Sequence, residues 1–325
     1  MFTNVDVSPI NGITSYIMNN GDMLNKGFSI SLNGYPVKTK NFRWYMSTYY
    51  SVNLNKVQTD DARNYNLNDY LNGTAVVSGQ PISTFYSYKF LGLNPQNGAP
   101  MFDDWEDRWH LLQGKTLDEV VPMILVNSGT RDPKFSGDLN NTFTHKIWSL
   151  SLNFSYSLGS KVRLFEMYGP IINGISAAAN VREEFLDRWQ VPGDEKYTVY
   201  PLIISPSSPD YEHYRLHYSA PQRAVGPNSG VPAFANNVWQ MYDDSDLRVV
   251  SGNYLKLQSL SFSYRLNDRL LRKTPFTQLS ISFNTHNCFT ISAKELRGQD
   301  PSQAGFADAG LSIRPSYTIG LNVSF

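Results

Sequence analysis

An acidic run is the first place where the side chains of this sequence could do chemistry. Asp103, Asp104, Glu106 and Asp107 surround Trp105. Such oxygen ligands suit Ca²⁺, and paired carboxylates hydrolyse glycosides when they lie about 5 Å or about 6.5–9.5 Å apart. Adjacent loop residues do not set such a separation, so a solvated loop is the simpler interpretation. We expect no catalytic residue and no cofactor here, with Ca²⁺ in this loop as the alternative.

Two histidines could bind a metal. His213 and His217 stand four residues apart, a spacing that places both on one face of a helix, as in zinc sites. The flanking proline and the repeated tyrosines predict instead that this segment is not helical. The sequence therefore predicts no metal site.

Other catalytic motifs are absent from the sequence. Gly114-Lys115-Thr116 ends like a phosphate-binding loop, but Trp109 stands where the first glycine should be. No Gly-x-Ser-x-Gly elbow or comparable pairing of a nucleophile with a base is present. We predict that the protein is not an enzyme.

Aromatic side chains in irregular segments are the better candidates for binding. A flat ring can stack on the apolar face of a sugar or anchor a protein interface. Alternatively, such rings pack loops against one another or form a girdle at a bilayer boundary. The predicted ligand-binding residues are Trp105, Trp109, Trp189, Tyr211, Tyr214 and Trp239.

Composition narrows the class of protein. Over 325 residues, 28 basic residues balance 28 acidic ones, so no net field attracts nucleic acid or anionic surfaces. Only 17% of the residues are charged and 14% are aromatic, against about 25% charged in ordinary domains. This balance suits a protein that contacts lipid, sugar or both. The single cysteine, Cys288, excludes a disulfide framework.

No segment predicts a membrane-spanning helix or a signal peptide. The longest apolar run, residues 120–126, is far shorter than the roughly 18–20 residues that a spanning helix needs. The first six residues contain neither a basic region nor an apolar core, so we expect no signal peptide.

The final ten residues alternate strictly between apolar and polar. Side chains of a strand switch faces at every residue, so this strand separates two environments. The apolar face would be the core of a soluble sandwich or the lipid side of an outer-membrane barrel. The residues that we predict to face lipid are Tyr317, Ile319, Leu321, Val323 and Phe325.

The same alternation recurs along the chain. It appears in residues 28–32, 44–54, 150–158 and 279–283. In residues 254–264 its phase changes at Gln258-Ser259, which predicts a bulge. Weaker candidates are residues 83–93 and 140–146. We expect about nine strands in all, or ten with residues 13–18. Most of these strands run about ten residues, the span of a tilted membrane strand, and their polar faces carry Ser, Asn and Thr. A soluble sheet would show charge there, so a membrane barrel is favoured.

The predicted connections alternate in length. Short ones cover about 34–41, 145–147 and 267–275, and long ones cover 58–81, 103–137 and 170–252. Short turns on one side and long loops on the other are typical of outer-membrane barrels. One helix is predicted near residues 177–189.

Six segments, in order, resemble motifs of one family. They are Asn20–Gly27 (N-x-G-x-M-x-N-K-G), Asn53–Val57 (N-x-N-K-V), Phe135–Thr144 (an F-x-G-G-x-x-N-x-F hairpin), Asp187–Asp194 (R-W-x-x-P-G-D), Ser251–Leu257 (S-x-x-Y-L-R-L-K) and the closing Tyr317–Phe325. Together they make the chain similar to the C-terminal part of a SusC/RagA-type TonB-dependent outer-membrane transporter. Asp138 departs from the motif, which has glycine there.

The resemblance implies an all-β fold, a transmembrane antiparallel β-barrel of 22 strands, of which residues 1–325 would supply about nine or ten. The signal peptide, TonB box, plug and N-terminal strands would be absent from this chain. It further implies a place in the bacterial outer membrane, contact with lipid, a SusD-like lipoprotein partner, the remainder of the barrel and plug, and TonB. The substrate would be an oligosaccharide or a peptide.

Two other interpretations remain at this point. A small self-contained outer-membrane barrel would act as a passive pore or a surface enzyme. A soluble carbohydrate-binding sandwich would behave as a monomer without detergent.

Overall fold

The structure, a computed structural model, describes residues 2–6, 8, 10, 12, 15–19, 22–58, 65–103, 105–112, 114–171, 181–219, 237–272, 274–303 and 314–325. The chain divides into two compact units. The first, here the loop unit, comprises Met1–Leu24, Asn55–Arg131 and Arg163–Val250. The second, the sheet unit, comprises Asn25–Leu54, Asp132–Val162 and Ser251–Phe325.

Strands dominate the secondary structure. The strands are β1 (Phe2–Asp6), β2 (Ser15–Asn19), β3 (Met23–Lys38), β4 (Phe42–Val57), β5 (Thr84–Tyr88), β6 (Gly92–Leu93), β7 (Pro100–Met101), β8 (Leu125–Thr130), β9 (Phe135–His145), β10 (Trp148–Leu158), β11 (Lys161–Arg163), β12 (Val249–Ser251), β13 (Tyr254–Arg265), β14 (Gln278–Ser292) and β15 (Ser316–Ser324). The α-helices are α1 (Leu67–Asn72), α2 (Leu117–Ile124), α3 (Tyr211–Leu216), α4 (Val238–Asp243) and α5 (Asp268–Leu271). No helix in the described ranges is long and apolar enough to cross a membrane.

The sheet unit is built on one seven-stranded sheet in the order β15-β14-β13-β10-β9-β4-β3. From β4 through β9, β10, β13 and β14 to β15, each strand pairs antiparallel with the next. Residues 39–41, 146–147 and 266–277 therefore connect strands at one edge, here the short-turn edge. Residues 58–134, 159–253 and 293–315 leave from the opposite, long-loop edge. The predicted alternation of short and long connections is confirmed.

Sequence alternation gives the sheet two chemically different faces. One cross-strand row runs through Phe143, Leu150, Phe262, Phe283 and Ile319. The row one residue further along runs through Ser, Thr and Asn side chains. In it Thr142 lies 3.2 Å from Ser151, and Ser261 donates to Asn284 at 2.6 Å. In this row, neutral side chains thus form hydrogen bonds with one another.

The predicted bulge in β13 is confirmed. Register shifts between Leu257 and Ser259 on both sides of the strand, so Gln258 has no opposing partner. Its side chain instead donates to Ser155 Oγ at 2.7 Å. On β14 the irregularity is matched by Asn287, which has a positive φ of 54°. The bulge lets apolar side chains before and after it occupy the same face.

Three predictions about strands need correction. The sheet has seven strands in the described ranges, not nine or ten. Residues 83–93 contribute β5, which pairs with β8 in a separate two-stranded sheet. Both faces of β5 are buried, which is why it does not join the large two-faced sheet. The segment predicted as a hairpin, residues 135–144, is the single strand β9, so Asp138 lies within a strand.

Two further predicted elements end up outside the large sheet. Residues 13–18 overlap β2, which pairs with β1 in its own two-stranded sheet. The helix predicted near residues 177–189 lies partly outside the described residues, and its described part contains only a short 3₁₀ segment, Glu183–Asp187.

The loop unit contains the hydrophobic core. Aromatic side chains dominate its centre, where Tyr88, Tyr168 and Tyr242 are almost fully buried. Tyr168 and Tyr242 pack edge to face with ring centroids 5.3 Å apart. Helix α1 begins with a capping box in which Asn66 and Asp69 satisfy each other's backbone N–H groups. Long segments between barrel-type strands thus fold as a packed body in their own right.

Candidate functional site

The apolar face of the sheet unit is the first candidate surface. Ile319 is 78% exposed and Leu321 66% exposed. Soluble proteins rarely expose contiguous apolar patches of more than a few hundred Å². The exposed apolar and aromatic side chains on this face include Trp148, Leu255, Phe262, Tyr264, Ile281, Phe289, Ile291, Tyr317, Ile319, Leu321 and Phe325. Such a face suits contact with lipid, and the lipid-facing role of Tyr317, Ile319, Leu321, Val323 and Phe325 stays a prediction.

One polar residue on this face has an internal partner. Asn141 lies on the same face as Trp44, and the Trp44 indole Nε1 donates to its Oδ1 at 3.0 Å. The Trp44 ring also stacks on Phe143, with centroids 5.7 Å apart. The amide oxygen is therefore hydrogen-bonded although its neighbours are apolar, as burial in an apolar medium requires.

The polar face carries one buried ion pair. Lys256 Nζ lies 3.0 Å from Asp300 Oδ2, and both side chains are less than 10% exposed. Ser302 donates its N–H and its hydroxyl to the other carboxylate oxygen of Asp300 at 2.9 and 2.6 Å. Burial raises the pKa of Asp300, but the Ser302 hydroxyl and the Lys256 ammonium outweigh it and hold that pKa below its ordinary value. The pair fastens the segment after β14 to the wall of the sheet.

Most predicted ligand-binding aromatics lie inside the loop unit. Trp105, Tyr211 and Trp239 belong to its hydrophobic core, each 7% exposed or less. Tyr211 stacks on Trp239 with centroids 5.6 Å apart. This placement corresponds to the packing alternative, while their ligand-binding role stays a prediction. The side chain of Trp109 lies outside the described part of the structure.

Trp189 is held by the turn that its motif forms. Asp194 accepts the N–H groups of Gln190 and Val191 at 2.9 and 3.0 Å, and Gly193 has a φ of +109°. This turn presses the indole, 4% exposed, against Gly98. A side chain at Gly98 would overlap the ring. The R-W-x-x-P-G-D pattern therefore encodes a local turn that buries its tryptophan.

Tyr214 lines a cavity of about 330 Å³ within the loop unit. His213 and His217 also line it, with ring centroids 6.2 Å apart, and so do the side chains of Asn94 and Asn97. The prediction that this segment is not helical is wrong, because α3 continues directly into a 3₁₀ segment, His217–Ser219. Amide, imidazole and phenol groups around an apolar floor suit a neutral polar ligand that also stacks on rings.

The acidic run is partly engaged within the chain. Arg108 donates to both carboxylate oxygens of Asp103 at 2.5 and 2.6 Å and lies over the Trp105 ring at 4.3 Å. Asp104 lies outside the described residues. No cluster of three or more potential metal ligands occurs among the residues that are described. Ca²⁺ binding in this loop therefore stays a prediction.

A buried carboxylate that the sequence did not single out organises the loop unit. Asp243 accepts the backbone N–H groups of Met167, Tyr168 and Gly169 at 2.9, 2.8 and 2.9 Å. Burial raises the pKa of Asp243 to about 6, against the opposing effects of Arg248 and these three N–H groups. Only the adjacent Asp243-Asp244 pair beside an aromatic run could have signalled this role in the sequence.

A neighbouring ion pair joins three segments of the loop unit. Arg163 lies 2.5 Å from Asp244 and also donates to the Tyr86 carbonyl and the Ser87 hydroxyl at 2.7 and 2.8 Å. Both charged side chains are less than 20% exposed. These buried polar links hold distant loop segments in one arrangement.

Comparisons with known proteins agree with the family resemblance. No family model matches the chain. TonB-dependent receptor P3 of Formosa agariphila is 23% identical over 343 residues, which covers 97% of this chain and 30% of the relative. TonB-dependent receptor P39 of the same organism is 21% identical over 379 residues, with 99% and 32% covered.

Solved structures show the same fold. The RagAB peptide transporter matches with a TM-score of 0.66 and 18% identity, over 100% of this chain and 32% of that one. The RagAB peptide importer in its open-open state matches with a TM-score of 0.63, 19% identity, and 100% and 31% coverage. The chain spans about a third of the length of these relatives. It is homologous over its full length to TonB-dependent receptors, and its fold is that of part of a TonB-dependent transporter barrel.

Proposed function

We propose that this chain forms part of the barrel wall of a TonB-dependent nutrient importer in the bacterial outer membrane. The observation that carries the proposal is the two-faced seven-stranded sheet, matched over its whole length by the relatives. Its exposed apolar face would contact lipid, and its polar face, rich in Ser, Thr and Asn, would line a watery interior. The chain itself would carry out no chemical step.

The edges of the sheet support a larger assembly. β3 and β15 are the two edge strands, and the antiparallel order makes them run in the same direction. Direct pairing between them would be parallel, unlike the antiparallel pairing within the sheet. Other strands and a plug would therefore complete the barrel, and TonB would act through the remainder of that assembly.

A SusD-like surface lipoprotein is the proposed partner, and an oligosaccharide or a peptide is the proposed substrate. The match to the RagAB peptide transporter supports a two-protein system. The cavity around Tyr214 is the place in the described loop unit where substrate would be held. Its neutral polar lining is compatible with either substrate class.

Uptake measurements test the proposal. Cells that produce this chain together with the remainder of the proposed assembly should accumulate a fluorescent oligosaccharide or peptide in an energy-dependent way, and a protonophore should abolish that uptake. Uptake that persists with a protonophore would favour the passive pore instead. A heat-modifiable barrel formed from these 325 residues alone would contradict the larger assembly. Co-purification of a lipoprotein tests the partner separately.

A further inference from the structure

The short-turn edge of the sheet unit is strongly basic. The three connections there and the strand ends next to them carry eight basic residues and one acidic residue, Asp268, in a chain that is neutral overall. The basic residues are Lys38, Lys40, Arg43, Lys146, Arg265, Arg269, Arg272 and Lys273. The opposite, long-loop edge carries charges of both signs, since Asp132, Glu295 and Asp300 lie among its lysines and arginines.

Three of these charges are available to a ligand. Lys40, Lys146 and Arg272 are exposed, and no ion pair engages any of them within the part of the chain that the structure describes. Each comes from a different connection, so the antiparallel order alone gathers them at one edge.

Aromatic side chains mark a boundary immediately before this edge. Trp148 is the first residue of β10 and is 37% exposed on the apolar face. Tyr264 lies opposite it in the register, and Phe276 packs on Phe325 with centroids 5.3 Å apart. Trp and Tyr are enriched where a bilayer core meets its headgroups. Lys40, Lys146 and Arg272 lie in the connections beyond that boundary, at headgroup depth.

We propose that the short-turn edge binds anionic phospholipid headgroups. This inference rests on the proposed function, since it requires the apolar face to lie in a bilayer. Lysine and arginine side chains near a membrane surface attract anionic lipids, and their long stems reach headgroups while covering apolar surface. Phosphate oxygens would accept hydrogen bonds from several of these cations at once. The edge would thereby fix the depth and tilt of the barrel wall.

Lipid-specific quenching tests the proposal with the full chain in mixed micelles. Trp44 and Trp148 lie next to this edge and report on nearby brominated acyl chains. At low salt, dibrominated phosphatidylglycerol should quench several-fold more effectively than dibrominated phosphatidylcholine. The preference should fade at about 1 M salt, where the Debye length is about 3 Å.

Matched variants test whether the basic residues of the short-turn edge cause the preference for phosphatidylglycerol. The triple variant K40Q/K146Q/R272Q should lose the preference for phosphatidylglycerol. The control K26Q/K161Q/K294Q removes the same charge from exposed lysines elsewhere in the sheet unit and should keep it. A preference that is unchanged in the first variant, or equally lost in both, would overturn the proposal.

The outcomes separate this inference from the proposed function. Equal quenching by both lipids would refute the headgroup site while leaving the apolar face in lipid. Quenching by neither lipid would refute the membrane placement itself, and the headgroup site with it. Should the triple variant fail to fold, the salt dependence of the unaltered protein still decides.

Discussion

The Tyr156 ring crosses Gly137, and its hydroxyl donates to the Tyr49 carbonyl oxygen at 3.3 Å. Gly137 lies opposite both Tyr50 and Tyr156 in the register, so three strands meet at this point. A Cβ atom at Gly137 would overlap the Tyr49 carbonyl oxygen and the Tyr156 hydroxyl. The glycine of this motif is therefore required by close approach within a strand, not by a turn.

The first prediction is that Gly137→Ala destabilises the sheet unit. The added methyl group must displace a backbone carbonyl or the Tyr156 ring, and overpacking of this kind costs about 1–3 kcal/mol. Chemical unfolding followed by tryptophan fluorescence measures the loss. Gly34→Ala is the control, because a Cβ there meets nothing within 4 Å. Equal effects of the two substitutions would contradict the close-approach explanation.

The second prediction concerns the lipid-facing side of β15. Ile319→Arg should reduce the fraction of protein that inserts into vesicles, because arginine on the lipid face near the midplane costs about 2–4 kcal/mol. Thr318→Arg, one residue away on the polar face, should insert nearly as well as the unaltered protein. Co-flotation with vesicles measures both. If the Thr318 variant inserted worse than the Ile319 variant, the assignment of faces would be reversed.

The third prediction concerns the buried pair of Lys256 and Asp300. Lys256→Met alone leaves a buried carboxylate without its cation and should cost about 3–5 kcal/mol. The double variant Lys256→Met with Asp300→Leu should recover most of that loss, since an apolar pair can replace a buried ion pair. Chemical unfolding is measured for the unaltered protein, for Lys256→Met and Asp300→Leu as single variants, and for the double variant, which completes the double-mutant cycle. Additive losses in the double variant would show that the two side chains do not interact.

The fourth prediction is a pH dependence that arises from Asp243. Its pKa is about 6 in the folded protein, above its ordinary value of 3.8. A folded-state pKa that is raised in an acid means that the folded protein binds the proton more tightly than the unfolded chain. The contribution of this group to the free energy of unfolding should therefore fall as pH rises from about 4 to about 6.

Asp243→Asn isolates that contribution. The amide stays neutral at every pH and can still accept a hydrogen bond through its oxygen. The difference in free energy of unfolding between the two proteins should change across this pH window and stay level above it. A difference that is flat from pH 4 to pH 6 would show that the Asp243 pKa is not raised.

The fifth prediction separates packing from binding among the loop aromatics. Trp239→Ala removes a core side chain that is 4% exposed, and truncations of this size cost about 3–5 kcal/mol. Tyr214→Ala, at the half-buried wall of the cavity, should cost far less stability but weaken binding of the proposed oligosaccharide or peptide substrate. Thermal unfolding and calorimetric titration compare the two. Normal binding in a folded Tyr214 variant would remove this residue from the ligand site.

Much of the sheet unit could be predicted from the sequence because alternation is a local property. Side chains of a strand change faces at each residue, so the apolar face of the final strand follows from the residue order alone. The phase change at Gln258 likewise required a bulge, and the structure contains one. The sequence also predicted which connections are short and which are long. Because short and long connections alternate, it thereby predicted the edge at which each one leaves the sheet.

The loop unit was decided by tertiary structure, because its interactions join residues that are far apart in the chain. The buried Asp243 caps N–H groups 74 to 76 residues earlier in the sequence. Trp189 is buried by Gly98, and no local pattern in either segment announces that contact. A loop aromatic has the same sequence signature whether it meets a ligand or a core. Only long-range packing determines which of the two it meets, and here packing buried Trp105, Trp189, Tyr211 and Trp239 and left Tyr214 beside a cavity.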